Sequence, residues 1–90
     1  MHWGHLPGGD LVEQGLDDLG AGRESVAALL VSIGAPRLRL LLDLPGAPLA
    51  DAEHRLYALL AAEDSDSAHS RYNAFVRRLV SFERAAESLS

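Results

Sequence analysis

His2 and His5 bracket Trp3, and two imidazoles this close in sequence are the first arrangement in the chain that could hold a metal ion or clamp a ligand. They belong to Met-His-Trp-Gly-His-Leu-Pro-Gly-Gly, which has no helical or strand period. An irregular arm over residues 1–9 is the expected outcome, with Trp3 and Leu6 tucked onto the body or onto a second subunit. The other two histidines, His54 and His69, fall on two neighbouring helices. His54 lies well before the end of the first and His69 at the start of the next, an offset of roughly 10 Å at 1.5 Å rise per residue. Zinc needs its nitrogen ligands about 2.0–2.1 Å from the ion, so a shared site within one subunit is not expected.

Three further patterns start towards a known chemistry and stop short. Asp64-x-Asp66 opens like a calcium loop, but the sixth position is His69 rather than glycine and the twelfth is Phe75 rather than glutamate. It reads as a turn and helix cap. Gly20-Ala-Gly22-Arg-Glu-Ser25 has two of the glycines of a nucleotide-binding loop, yet no strand precedes it and the chain has no lysine for a phosphate-binding motif. It reads as a helix break. No Ser-His-Asp set emerges, no serine sits in a nucleophile-elbow context, and there is no cysteine to act as a thiolate. Asp17-Asp18 reads as a solvated helix face. No catalytic residue, cofactor or metal is assigned, and the chain is not read as an enzyme.

Arginine offers a different chemistry. Ser25 to Ile33, Gly34 as a turn, and Pro36-Arg-Leu-Arg-Leu-Leu-Leu give the helix, glycine and helix order of a helix-turn-helix within Ser25–Leu44. Arg37 and Arg39 would then face phosphates or base edges. This is the alternative function, a DNA-binding regulator. Against it, the second segment is mostly leucine where a recognition helix presents polar groups, and the chain is acidic with no basic stripe. A small-molecule or metal-binding role ranks lower.

The helices that would position these residues are legible in part. From Ala68 the apolar residues Tyr72, Phe75, Leu79, Phe82, Ala86 and Leu89 follow at alternating steps of three and four, a heptad seam that predicts a helix of about six turns. Three of the chain's five aromatic rings lie on it. Val76 and Val80 widen that face, Arg71 and Arg78 flank it, and Arg77 and Arg84 lie further out. Leu49–Glu63 predicts the preceding helix, with Asp51 and Glu53 in its first turn, where the helix dipole favours acids. Asp64–Ser67 is the polar turn between the two.

All eight glycines and all four prolines fall in residues 1–48. That half should hold short punctuated helices over residues 10–48. Asp10 and Glu13 form a capping box that opens a weak helix, in which Gly15 costs about 1 kcal/mol against alanine. Val26, Leu29, Leu30 and Ile33 mark a second, central helix with Gly34 as its stop. Pro36 suits the first position of another element. Leu38, Leu40, Leu42 and Leu44 alternate as a strand would, but no partner strand is in sight, and helix is the preferred reading of residues 36–44.

The expected fold is all-α: one domain of four or five helices over residues 1–90, ending in a long antiparallel helical hairpin at 49–90. The net charge of −5 argues against tight non-specific binding to nucleic acid. Lysine and threonine are absent and all eight basic residues are arginine, a bias that points to a GC-rich bacterial genome. The lack of cysteine favours a reducing cytoplasm. No basic region followed by an apolar run opens the chain, and no apolar stretch is long enough to span a bilayer, so neither a signal peptide nor a membrane anchor is expected. The leading functional expectation is a protein that acts through protein–protein contact, as a homodimer or as an accessory or regulatory partner of a larger protein. Its interface is expected to use Val76 and Val80, joined by Trp3, with Arg71 and Arg78 reaching acids such as Glu83 across a two-fold axis.

Overall fold

Ser25 shows how closely the helix starts follow side-chain chemistry. Its backbone is extended, its hydroxyl accepts from the Ala28 N–H at 3.0 Å, and helix α2 follows from Val26–Leu38. The computed structural model describes residues 3–89 and contains three more helices: α1 at Gly9–Gly20, α3 at Ala52–Glu63 and α4 at Ala68–Glu87. Among the described residues there is no strand, and the fold is all-α.

The helices do not meet symmetrically. α2 and α4 each pack against all three others, whereas α1 and α3 do not touch. The central position of α2 follows from its composition. Most of its residues are buried, and it is apolar on nearly every side, as a helix enclosed by others must be. α4 carries the seam read from the sequence. Ala68, Leu79, Phe82 and Ala86 are buried, Tyr72 and Phe75 are half-buried, and Leu89 is exposed beyond the end of the helix. Val12 and Leu19 of α1 and Leu56 and Leu60 of α3 complete the core. The radius of gyration is 12.5 Å, close to the roughly 12 Å of a packed chain of this length.

Three expectations for the first half of the chain are corrected. Asp10 and Glu13 form no capping box. The N-cap of α1 is Gly8 in the left-handed conformation, and Glu13 instead accepts from the backbone N–H groups of Trp3 (2.5 Å) and Gly4 (3.1 Å). Gly34 is not a stop. α2 runs on through Gly34 and Pro36 to Leu38. Gly34 serves packing: a Cβ there would lie 3.0 Å from a Leu79 methyl and 3.1 Å from a Glu83 carboxylate oxygen, so its absence lets α4 come close. Residues 39–44 are neither a new helix nor a strand. They are turns and loop, with Leu40 thrust outward at 84% exposure and Leu42 and Leu44 half-buried.

The long connection from α2 to α3 is pinned at two points. The buried Ser32 hydroxyl donates to the Ala28 carbonyl at 2.8 Å and accepts from the Leu49 N–H at 2.9 Å. Gly46 lies against the end of α1, where a Cβ would approach the Leu19 carbonyl oxygen to 2.7 Å.

Candidate functional site

Residues four apart on a helix share one face. Tyr72, Val76 and Val80 stand at that spacing on α4, and all three are half-buried. At one end of the row the Tyr72 ring packs on Tyr57 of α3, with centroids 5.8 Å apart and planes tilted by 56°. Tyr57 remains 40% exposed. Burial, with the nearby Glu53 carboxylate adding to it, holds the Tyr72 phenol above its ordinary pKa, so it stays neutral and the row carries no charge. The result is a short apolar strip along the outside of α3 and α4. Sequence reading found Val76 and Val80 but not Tyr57. The exposed ring carries no signal in the apolar period of α3, because it lies beside the inward positions Leu56 and Leu60.

The other residues expected at this face are already engaged. Arg71 binds Glu63 at 2.9 Å and Arg78 binds Asp10 at 2.9 Å. Both are surface pairs within the chain, so a role across a two-fold axis would require them to exchange these partners. Glu83, their expected partner, is 4% exposed and turned inward, where Arg37 of α2 approaches it at 3.5 Å. Desolvation raises the Glu83 pKa, Arg37 opposes that rise, and Glu87 adds to it. Trp3 packs edge-on against Phe82 of its own chain, with centroids 5.7 Å apart and planes at 77°, and is half-buried there.

The helix-turn-helix geometry is absent. The segment from Ser25 to Leu38 is one helix and its cap, so no glycine turn separates two helices. Arg37 is bound by Glu83 and Glu87, and the hydrogen bond it donates to Glu87 raises its pKa. Arg39 is exposed and pairs with no acid among the described residues. The two arginines therefore do not form a pair facing solvent.

His5, His54 and His69 are all exposed, and His69 Nε2 lies 3.2 Å from Asn73 Nδ2. His2 lies outside the described residues. Among the described residues no group of three or more His, Asp or Glu side chains could hold a metal ion. Asp64 forms the turn that the sequence suggests, its carboxylate accepting from the Asp66 N–H at 3.1 Å and from the Ser67 hydroxyl at 3.0 Å, but the expected cap is not made: Ser67, the N-cap of α4, makes no side-chain capping bond.

The densest polar cluster sits elsewhere and is structural. Asp18, read as a solvated acid, is 5% exposed. Its carboxylate accepts from Gln14 Nε2 (3.1 Å), Arg23 Nε (3.1 Å), Arg23 Nη2 (3.0 Å) and the Ser25 hydroxyl (2.6 Å). Those bonds, Ser25 first, hold its pKa below the usual aspartate value. The cluster ties the end of α1 to the start of α2. No buried polar side-chain atom among the described residues lacks a partner. No helix among them is long and apolar enough to cross a membrane.

Searches against protein-family models, curated proteins and solved structures returned no match.

Proposed function

We propose that this chain is a bacterial, cytoplasmic protein that works through protein–protein contact, first of all as a homodimer, and in that form as an accessory or regulatory partner of a larger protein. In this reading the four helices form a small bundle whose last two, α3 and α4, make an antiparallel hairpin that presents the contact face. The observation that carries the reading is the uncharged strip of Tyr57, Tyr72, Val76 and Val80, whose rings and methyl groups are left partly in water. A two-fold axis is the commonest way to cover such a strip, because it then meets its own copy. Leu40 at 84% exposure and Leu89 at 65% add apolar surface without forming a second strip. Arg71 and Arg78 belong to ion pairs within the chain, so register is left to the shape of the strip.

Sedimentation or light scattering at micromolar concentration tests the proposal, with Val76→Glu plus Val80→Glu as the probe. Wild type is expected to be a dimer and the double variant a folded monomer. A wild-type chain that stays monomeric while well folded would sink the reading. So would a double variant that loses its helical fold without passing through a folded monomer, since the two valines would then belong to the core.

A further inference from the structure

Arg77 and Arg84 stand on the outer side of α4, one heptad and therefore about 10.5 Å apart along the axis. Both are exposed. Ser70, Ala74, Ser81 and Ser88 complete the same line at steps of four and three, all of them exposed and none of them acidic. The other arginines of the chain are spoken for, with one exception. Arg23, Arg37, Arg55, Arg71 and Arg78 each bind a carboxylate, whereas Arg39, Arg77 and Arg84 make no ion pair among the described residues. An open groove runs beside the line, lined by Pro7, Gly8, Ala74, Arg77, Arg78 and Ser81. Backbone forms part of its wall: a Cβ on Gly8 would stand 2.4 Å from the Arg78 carbonyl oxygen, so the arm lies directly on α4.

We propose that this outer face of α4 docks an acidic helical segment of a partner protein, with carboxylates one heptad apart on the partner meeting Arg77 and Arg84. Charge complementarity argues for the acid. The chain as a whole carries −5, so its general field repels an acidic partner and leaves the unpaired arginines as the places where one is attracted; two of those three, Arg77 and Arg84, stand together on this line. Spacing argues for the helix. The two arginines lie on a straight line with small side chains between them, so a rod lying along α4 can approach closely, and helical carboxylates seven residues apart match their separation. Nucleic acid fits less well: two free cations neutralise few phosphates, and the remaining charge opposes the contact. Arg84 follows Val80 by four residues and Arg77 precedes it by three, so this face borders the strip of Tyr72, Val76 and Val80, and the test must read binding and oligomeric state separately.

The probe is a fluorescein-labelled 21-residue alanine-based helical peptide with two glutamates seven residues apart, titrated with the full chain at low salt and followed by anisotropy. A second peptide of the same composition carries its glutamates five apart, on different sides of the helix. Saturable binding of the first peptide is expected, weakened at least about tenfold by Arg77→Glu plus Arg84→Glu and by added salt, and little changed by Arg39→Glu. Arg77→Ala plus Arg84→Ala should move it in the same direction by a smaller factor. Both pairs should keep the wild-type circular dichroism, and sedimentation of each variant at the assay concentration reads the oligomeric state separately, so that lost binding by a chain in its wild-type oligomeric state is distinct from failure of the dimer reading. The proposal is overturned by no saturable binding, by equal binding to the charge-reversed variant, or by equal affinity for the second peptide. Tighter binding of a DNA duplex or of phosphatidylserine vesicles through the same arginines would overturn it too.

Discussion

A Cβ placed on Gly15 of α1 would stand 2.3 Å from the Ala27 carbonyl oxygen of α2 and 2.4 Å from a Val31 methyl. The two helices cross at this point, and only a hydrogen fits between them. Gly15→Ala therefore sets two effects against each other. Helix propensity gains about 1 kcal/mol, while overpacking against a rigid backbone costs roughly 1–3 kcal/mol and here must move one helix. Packing wins. Urea unfolding should show a net loss of up to roughly 2 kcal/mol. A stabilised variant would show that α1 and α2 leave room for a methyl group at this crossing.

Two buried acids should respond to pH with opposite signs. Asp18 is held ionised by the four hydrogen bonds its carboxylate accepts, with its pKa lowered. Its contribution is therefore present above the unfolded pKa of about 3.9 and is lost as pH falls through the folded value. Glu83 is buried with a raised pKa, so its carboxyl favours folding when protonated. That contribution is complete below an unfolded pKa of about 4.3 and is lost as pH rises through the folded value. The charged groups in contact with it are Arg37 on α2 and Glu87 on its own helix. Thermal unfolding of Glu83→Gln should accordingly give a higher Tm than wild type at pH 7, with the gap closing near pH 4. Asp18→Asn should give a lower Tm at pH 7, and that gap should also narrow in acid. A Glu83→Gln variant less stable than wild type at pH 7 would contradict the account.

Along α4, stability costs should follow burial rather than residue type. Leu79 is 3% exposed, and Leu79→Ala should cost roughly 2–5 kcal/mol. Phe75 is only half-buried, and Phe75→Ala should cost less, roughly 1–3 kcal/mol. Arg77→Ala and Arg84→Ala should stay within about 0.5 kcal/mol. Equal costs at Leu79 and Arg77 in denaturant titrations would mean that the buried face of the helix is misplaced.

The smooth half of the chain was the readable half. With no glycine or proline after Pro48, apolar spacing alone set the ends of α3 and α4 to within about three residues. In the first half a glycine has more than one use, and sequence does not say which applies. Gly34 reads as a stop, yet its missing side chain makes room for Leu79 and Glu83. Pro36 reads as a start, yet burial of α2 on nearly all sides carries the helix through it, beyond what local propensity favours. Arg71 and Arg78 read as free because their partners, Glu63 and Asp10, are eight and 68 residues away. Burial of Glu83 left one faint trace: it lies four residues after Leu79 and three before Ala86, on the flank of the apolar seam. Nothing in the sequence joins it to Arg37, 46 residues earlier.

The single tryptophan makes the N-terminal arm separately observable. Trp3 rests on Phe82, its N–H is held by Glu13, and its carbonyl accepts from the Leu6 N–H at 3.0 Å. The Gly9 N–H then bonds to the Leu6 carbonyl at 2.9 Å, which carries the arm into α1. The arm rests on one carboxylate, the Trp3 ring contact and the half-buried Leu6, fewer contacts than hold the helices to the shared core. Glu13→Ala removes the acceptor for two backbone N–H groups and leaves the core apolar residues in place. Fluorescence of the variant should shift to the red as the indole enters water, while far-ultraviolet circular dichroism changes little. In wild type, the fluorescence midpoint in urea should precede the circular dichroism midpoint, because an element with few buried contacts opens at lower free energy than the core. Coincident midpoints in wild type, together with loss of helix in Glu13→Ala, would show that the arm belongs to the same cooperative unit as α2 and α4.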